Sequence, residues 1–151
     1  MATHHATCLE IAGLGVLLRG PSGAGKSDLA LRLLEENPQF PARLVADDRV
    51  CLTRDKEELI ASPPPVLRGL LEIRGIGLVR LPVCERVALG LVVDLVSRDA
   101  IERAPEFPAT RVKLGAVALP ILHLNPFEAS APAKLRMAVR QILIQDGRIQ
   151  I

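Results

Sequence analysis

Aromatic side chains are scarce in this chain of 151 residues, which has no tryptophan, no tyrosine and three phenylalanines, at positions 40, 107 and 127. Proteins that bind single-stranded nucleic acid stack its bases on aromatic side chains. Three scattered phenylalanines therefore offer no aromatic platform on which the successive bases of a single strand could stack. The formal net charge of +2 is also too small to indicate a surface that binds a duplex. We expect no nucleic-acid partner, and a core built from Leu, Val, Ile and Ala.

The chain also has few cysteines and no long apolar run. Cys8, Cys51 and Cys84 are odd in number and far apart, without the paired spacing of a zinc site or a redox motif. We expect buried thiols in a reducing compartment. No apolar stretch approaches the roughly 18 to 20 residues that a membrane span requires, and residues 1–5 lack the order of a signal peptide. The sequence therefore predicts a cytoplasmic protein without a membrane partner.

The sequence does contain a complete phosphate-binding pattern between an apolar run at 15–18 and a leucine-rich helical stretch. In such a loop, glycines let backbone N–H groups turn towards phosphate oxygens, while Lys26 approaches the outer phosphates and Ser27 can bind Mg²⁺. The alternative is a glycine-rich turn that caps the helix beside a solvated lysine. Two spaced glycines followed by Lys-Ser and a helix favour binding of a nucleoside triphosphate or related polyphosphate. The motif consists of Gly20, Pro21, Ser22, Gly23, Ala24, Gly25, Lys26 and Ser27.

Hydrophobic periodicity predicts an α/β domain with a mixed, largely β core around one phosphate-loop helix. We expect one domain over residues 1–151, and a polar segment at 70–79 that is unusual for a core strand. The loop at 97–110 is expected to be mobile. The predicted strands are 8–11, 15–18, 43–46, 50–53, 58–61, 87–96 and one or two within 111–124. We expect the first two to be joined by a tight turn around residues 12–14, and strands 50–53 and 58–61 to form a hairpin around residues 54–57. The predicted helices are 26–37, ended by Asn37-Pro38, and one capped by Ser130 that buries Leu135, Ala138, Val139 and Ile142.

Acidic residues at two strand ends are candidates for binding magnesium and accepting a proton. Asp47 and Asp48 follow a buried strand about 20 residues after the loop, where paired carboxylates could hold magnesium and accept a proton. Asp residues also end strands by bonding local backbone N–H groups, so a structural turn is the alternative. Asp94 follows four apolar residues, a position that organises magnesium in common nucleotide hydrolases.

Two further segments carry a family resemblance. LVADDRV at positions 44–50 and LLEIRGIG at positions 70–77 closely resemble the catalytic domain of HPr kinase/phosphorylase. His5-Ala6 before the phosphate loop and LGVLL at positions 14–18, which lead into the loop, also match. The resemblance covers Thr3 to about Leu124, with its motifs in the order of the family.

The resemblance implies an ATP- and Mg²⁺-dependent kinase that phosphorylates a serine of HPr, the small phosphocarrier of the sugar phosphotransferase system. Many members reverse the reaction with inorganic phosphate and release pyrophosphate, so pyrophosphate is an alternative ligand. The fold around the loop is expected to be similar to that of phosphoenolpyruvate carboxykinase.

The resemblance also implies roles for individual residues. Asp48 resembles the general base for the serine hydroxyl, with Asp47 as its neighbour and His5 as its partner. Ser27 and Glu72 resemble the magnesium ligands. The remaining assignments are Lys26 as the phosphate clamp, Arg103 as the arginine of a mobile loop that neutralises the transferring phosphate, and Arg74 as a candidate partner of the carboxylates.

The chain departs from the family at both ends. It is expected to correspond to a shortened form without the separate N-terminal domain. Residues 124–130 replace a family segment of the Pro-x-x-x-Gly-Arg-Asn type, so phosphorylase activity and hexamer formation are not carried over. Two alternative functions stay open: a non-catalytic, nucleotide-sensing regulatory module, and a small-molecule kinase that uses Asp94.

Overall fold

A computed structural model describes residues 2–35 and 39–151. It contains eleven strands, two α-helices and two short 3-10 helices, Pro65–Leu67 and Arg98–Ala100, within that part of the chain. The predicted helix stop at Asn37-Pro38 lies outside the described residues. The strands are β1 (Ala2–His5), β2 (Thr7–Ile11), β3 (Leu14–Arg19), β4 (Ala42–Ala46), β5 (Arg49–Asp55), β6 (Glu58–Ser62), β7 (Leu70–Ile73), β8 (Gly77–Arg80), β9 (Val87–Leu95), β10 (Arg111–Leu114) and β11 (Val117–Leu124). The α-helices are α1 (Lys26–Glu35) and α2 (Ala131–Gln145).

Nine of these strands form one mixed sheet. Seven follow the order β1-β5-β6-β9-β3-β2-β4, and β11 pairs with β9 and β10. β9 pairs in parallel with β3 and β11, whereas the other described pairs in this sheet are antiparallel. The prediction of a mixed, largely β core around the phosphate-loop helix is confirmed.

Both faces of the central sheet are buried. Successive residues of β9 alternate between two core clusters: Leu91 and Val93 pack on the side that includes α1 and α2, and Val92 packs on the other side. Because neither face meets water, these strands are continuous apolar runs rather than alternating ones. All three cysteines are buried and unpaired, as expected, and burial raises the pKa of the Cys8 thiol.

The two hairpins expected from the sequence are present. β2 and β3 are joined by the two-residue turn Ala12-Gly13, and Ile11 pairs with Leu14. Both turn residues have positive φ, 52° and 84°, which is the turn geometry that matches strand twist in short hairpins. The second predicted hairpin consists of β5 and β6, which are longer than expected and leave Lys56-Glu57 as the turn.

Segment 70–79, which was expected to be unusual for a core strand, lies outside the main sheet, because β7 and β8 form a separate hairpin around residues 74–76. Other expectations need correction. β1 was not predicted at all; it pairs with β5 from Ala2 to His5. Ser130 precedes α2 but makes no side-chain cap hydrogen bond. The predicted inner face of α2 is buried as expected.

Within the described residues, neither α-helix has the length and apolar composition that crossing a bilayer would require.

Candidate functional site

The phosphate loop connects the end of β3 at Arg19 to the start of α1 at Lys26. Its backbone needs glycine: Gly23 and Gly25 have φ values of 82° and 98°, a region that other residues rarely adopt. A β carbon on Gly20 would lie 2.9 Å from that of Ala24. Turns of this kind, placed at a helix N-terminus, form concave sites where N–H groups can bind anions.

Lys26 is folded into this loop rather than solvated. Its side chain is buried, and its Nζ donates to the carbonyl oxygens of Gly20 at 2.6 Å and Pro21 at 3.0 Å. The ammonium charge is therefore held over the concave face of the loop. Partial burial strengthens its attraction for an anion there.

The Asp47 carboxylate joins three separate elements. Asp47 is 6% exposed; its Oδ1 accepts hydrogen bonds from Thr7 Oγ1 at 2.8 Å and Ser27 Oγ at 3.0 Å. Its Oδ2 accepts the backbone N–H of Glu72 at 3.4 Å. The donors come from β2, α1 and β7, so Asp47 does not act as a local strand terminator. It brings the loop serine and the Glu72 strand to one place.

Asp48 faces the opposite way. Its side chain is 68% exposed, and Oδ1 lies 3.1 Å from His5 Nε2. β1 fixes this contact, because His5 pairs with Arg49 in the sheet and the Ala6 N–H donates to the Asp48 carbonyl at 3.2 Å. The adjacent carboxylates thus differ: one is buried against hydroxyls, and the other is open to solvent beside an imidazole.

The backbone at Asp48 is itself unusual. Its φ is 65°. The N–H of Arg49, the residue after Asp48, donates to the carbonyl of Asp47, the residue before it, at 2.7 Å. Asp48 is therefore the central residue of a three-residue turn. Left-handed φ values at residues other than glycine are uncommon, and such strained positions concentrate at functional sites. The turn explains how neighbouring residues present their carboxylates in different directions.

Asp94 is engaged elsewhere. Its two carboxylate oxygens accept hydrogen bonds from Arg19 Nε at 2.7 Å and Nη2 at 2.9 Å, and the two residues are paired across β3 and β9. This two-point hydrogen bonding raises the pKa of the Arg19 guanidinium. Asp94 is therefore already held by a fixed cation.

The other residues predicted for the site make fewer contacts with the phosphate loop and the Asp47-Asp48 pair. The Glu72 side chain is exposed, while its backbone N–H contacts Asp47. Arg74 lies in the exposed turn between β7 and β8, and it forms no ion pair with any residue in the described ranges, so its expected pairing with the carboxylates is wrong. Arg103 is exposed in the irregular part of segment 97–110, and no contact joins it to the site in the described structure.

Two features of the site were not anticipated. Thr7, a buried hydroxyl in an apolar strand, donates to Asp47; its polarity in that strand was the available signal. The second is the turn after β11: a β carbon on Gly25 would lie 3.1 Å from Pro126 Cγ and 3.3 Å from Phe127 Cε1. Nothing in the local sequence predicts this approach, because it depends on how β11 packs beside the loop.

The oxygen atoms gathered here suit magnesium. Mg²⁺ prefers hard oxygen ligands and is commonly held by one or two carboxylates together with substrate phosphates and water. The Ser27 hydroxyl and the Asp47 carboxylate, which are hydrogen-bonded to each other, are of that type. The Glu72 carboxylate is of the same type, but its side chain is exposed and only its backbone N–H contacts Asp47. Over residues 2–35 and 39–151, no group of three or more His, Cys, Asp or Glu side chains forms an all-protein metal cage.

Comparison with known proteins identifies the family. The model of the HPr serine kinase C-terminal domain matches residues 1–105. The chain belongs to this family. The HPr kinase/phosphorylase of Acidovorax sp. (strain JS42) is 36% identical over 155 residues, covering 95% of this chain and 48% of that protein. The enzyme of the same name from Pediococcus pentosaceus is 50% identical over 76 residues, covering 50% of this chain and 23% of the relative.

A solved structure supports the same assignment over the whole chain. The HPr(Ser) kinase/phosphatase from Coxiella burnetii superposes with a TM-score of 0.79 at 26% identity, covering 97% of this chain and 99% of that one. The chain spans about half the length of the curated relatives it matches. The fold and the family are therefore shown, including the expected correspondence to the C-terminal domain.

Proposed function

We propose that residues 1–151 form one catalytic domain, an ATP- and Mg²⁺-dependent protein-serine kinase that phosphorylates HPr. Membership of the HPr serine kinase family supports the general class. The observation that carries the proposal is the Asp47 carboxylate, which links Ser27 of the phosphate loop to Glu72. The exposed Asp48 and His5 pair lies immediately beside it.

The phosphate loop supplies the donor half of the site. Its N–H groups and Lys26 would bind the outer phosphates of ATP. Ser27, Asp47 and Glu72 would hold Mg²⁺, which when bound neutralises charge on the phosphate oxygens. To bind ATP, the Lys26 ammonium would exchange its contacts with the loop carbonyls for phosphate oxygens, and this exchange keeps the ammonium hydrogen-bonded in both states.

Asp48 would serve the acceptor half. As the serine oxygen of HPr forms a bond to the γ-phosphorus, the bond to the oxygen that bridges the β- and γ-phosphates breaks, ADP leaves, and Asp48 takes the hydroxyl proton. His5 would hold the carboxylate in position at its present distance of 3.1 Å. An exposed base suits this task, because a hydroxyl carried by a folded protein cannot enter a closed pocket.

Two further parts of this proposal follow from the family. Arg103 would have to move to neutralise the transferring phosphate, since it contacts no site residue in the described structure. The cytoplasmic location follows from the proposed substrate and agrees with three unpaired cysteines. Phosphorylase activity and a hexameric assembly are not included, because residues 124–130 differ from the family segment implicated in both.

The direct test is transfer to HPr. Purified protein is incubated with ATP, Mg²⁺ and its cognate HPr, with an established homologue as a positive control, and seryl phosphate is measured by mass spectrometry. We expect transfer by the native protein. Lys26→Ala should lose nucleotide affinity in calorimetry as well as transfer, because Lys26 is placed on the phosphates. Absence of seryl phosphate while the homologue is active would refute the kinase proposal.

Related measurements distinguish the alternative functions. Tight ATP binding without transfer to any phosphocarrier, together with a partner that binds only with nucleotide, would identify a regulatory module. Incubating seryl-phosphorylated HPr with inorganic phosphate tests the reverse activity: release of pyrophosphate would show that the altered segment at 124–130 still supports it.

A further inference from the structure

One of the three phenylalanines is not used in the core. Phe40 and Phe107 are partly buried and pack against the cluster beneath α1 and α2. Phe127 is 72% exposed. Aromatic rings normally contribute to stability by burying a large apolar area. A chain with so few aromatic residues therefore leaves one ring in solvent, directly beside the phosphate loop.

Hydrogen bonds hold the backbone of the turn that carries this ring. The Phe127 N–H donates to Asn125 Oδ1 at 2.9 Å. Arg32, on the helix that begins at the phosphate loop, donates to the Pro126 carbonyl and, at 3.4 Å, to the Glu128 carbonyl. The turn at residues 125–128 is thus attached to α1. It cannot shift freely relative to the loop.

The ring also lies close to the loop backbone. A β carbon on Gly25 would sit 3.3 Å from Phe127 Cε1, so the ring edge is in contact with the backbone that leads to Lys26. The base of a bound nucleotide is joined to its phosphates through the ribose, so it must lie near the loop that holds them. An exposed, flat, apolar surface there suits a purine base.

Resting on the proposed binding of ATP at the phosphate loop, we propose that Phe127 forms one face of a subsite for the nucleotide base. The ring makes the site distinguish a nucleoside triphosphate from a polyphosphate without a base. Lys26 and the loop N–H groups bind phosphates of either ligand. Phe127 contributes only when a base is present.

The proposal predicts an effect that depends on the ligand. Stacking of a base on an aromatic side chain corresponds to roughly a 5- to 150-fold change in affinity on truncation to alanine. We expect Phe127→Ala to weaken ATP binding by such a factor. Affinity for inorganic tripolyphosphate, which carries the phosphates without ribose or base, should change by less than about twofold.

The experiment measures dissociation constants for ATP and tripolyphosphate, each with Mg²⁺, by calorimetry on the whole chain. The variants are Phe127→Ala, Phe127→Trp and, as a control, Val66→Ala, another exposed apolar residue on a separate turn. Phe127→Trp should retain ATP affinity, since it preserves a stacking surface. Val66→Ala should leave both affinities unchanged. This set of results would support the base subsite.

Several outcomes would overturn it. Equal weakening of ATP and tripolyphosphate would mean that the turn at 125–128 supports the loop rather than the base. Unchanged nucleotide affinity with a raised KM for HPr would mean that the ring contacts the protein substrate. If the native chain binds ATP normally and Phe127→Ala does too, only the base subsite fails. If the native chain binds neither ligand, the proposed function fails and the subsite with it.

Discussion

Two acidic strand ends flank the phosphate loop, and they have opposite surroundings. Asp94 ends β9, the direct neighbour of the loop strand β3, whereas Asp47 follows β4, which is separated from β3 by β2. Position in the sheet therefore favours Asp94. Yet Asp47, not Asp94, contacts the loop serine. Proximity of strands does not decide which carboxylate joins the site.

The hydrogen-bond donors explain the difference. Asp94 is held by the Arg19 guanidinium at two points, and this bidentate, charge-assisted geometry engages both carboxylate oxygens with a cation. The donors to Asp47 within the described residues are two hydroxyls and one amide, all neutral. A buried carboxylate without a cation is costly. Asp47 is therefore suited to receive a metal cation, and Asp94 is not.

The largest effect is expected at Asp48. A general base typically contributes about 10²- to 10⁴-fold, so Asp48→Asn should lower kcat for transfer to HPr by that factor, because asparagine keeps the shape without the basic oxygen. ATP affinity should stay within about twofold of the native value. Steady-state kinetics and calorimetry check both statements. Equal losses of affinity and turnover would contradict a role as base.

A different combination of effects is expected at Asp47. Asp47→Asn places an amide donor among hydroxyl and N–H donors, and an unsatisfied buried group costs about 1–3 kcal/mol. The free energy of unfolding should fall by that amount, and transfer should fall with it. The exposed Asp48→Asn should change stability by less than about 0.5 kcal/mol. Urea denaturation measures the free energy of unfolding of both variants. Similar losses of stability would contradict the difference in burial between Asp47 and Asp48.

The smallest effect is expected at Asp94. Partly exposed ion pairs contribute about 0–1 kcal/mol, so Asp94→Asn should lower the free energy of unfolding only slightly and leave transfer to HPr within about twofold. The same kinetic and denaturation measurements apply. Activity that survives Asp47→Ala and Asp48→Ala but is lost in Asp94→Ala would instead support a small-molecule kinase.

Local patterns in the sequence were sufficient for most of the fold. The phosphate loop, the hairpin turn at Ala12-Gly13 and the buried face of α2 each depend on neighbouring residues, and all were predicted. β1 was missed because four residues near a terminus carry no periodic signal. The division of 70–79 into a hairpin depends on Gly75 and Gly77, whose φ values of 92° and 110° no pattern of hydrophobicity reveals.

The site was less accessible to prediction because it depends on long-range contacts. Local patterns predicted the phosphate loop and the Asp47-Asp48 pair. The resemblance carried by residues 44–50 and 70–77 added the roles of His5, Glu72 and Arg103. Neither local sequence nor resemblance revealed that Thr7 supports Asp47, that Arg19 neutralises Asp94, or that Phe127 lies against Gly25. Each of these contacts joins residues from elements far apart in the chain, so it exists only once the sheet is assembled.

The position of β1 has a consequence for how the protein would lose activity. β1 has four residues and occupies one end of the strand order, where β5 is its only pairing partner among the residues that the structure describes. A short edge element of this kind can open locally at a lower free-energy cost than global unfolding. His5 would then leave Asp48 while the phosphate loop and the central sheet stay intact. Heating should therefore inactivate the protein before it melts, and the inactivated form should still bind nucleotide.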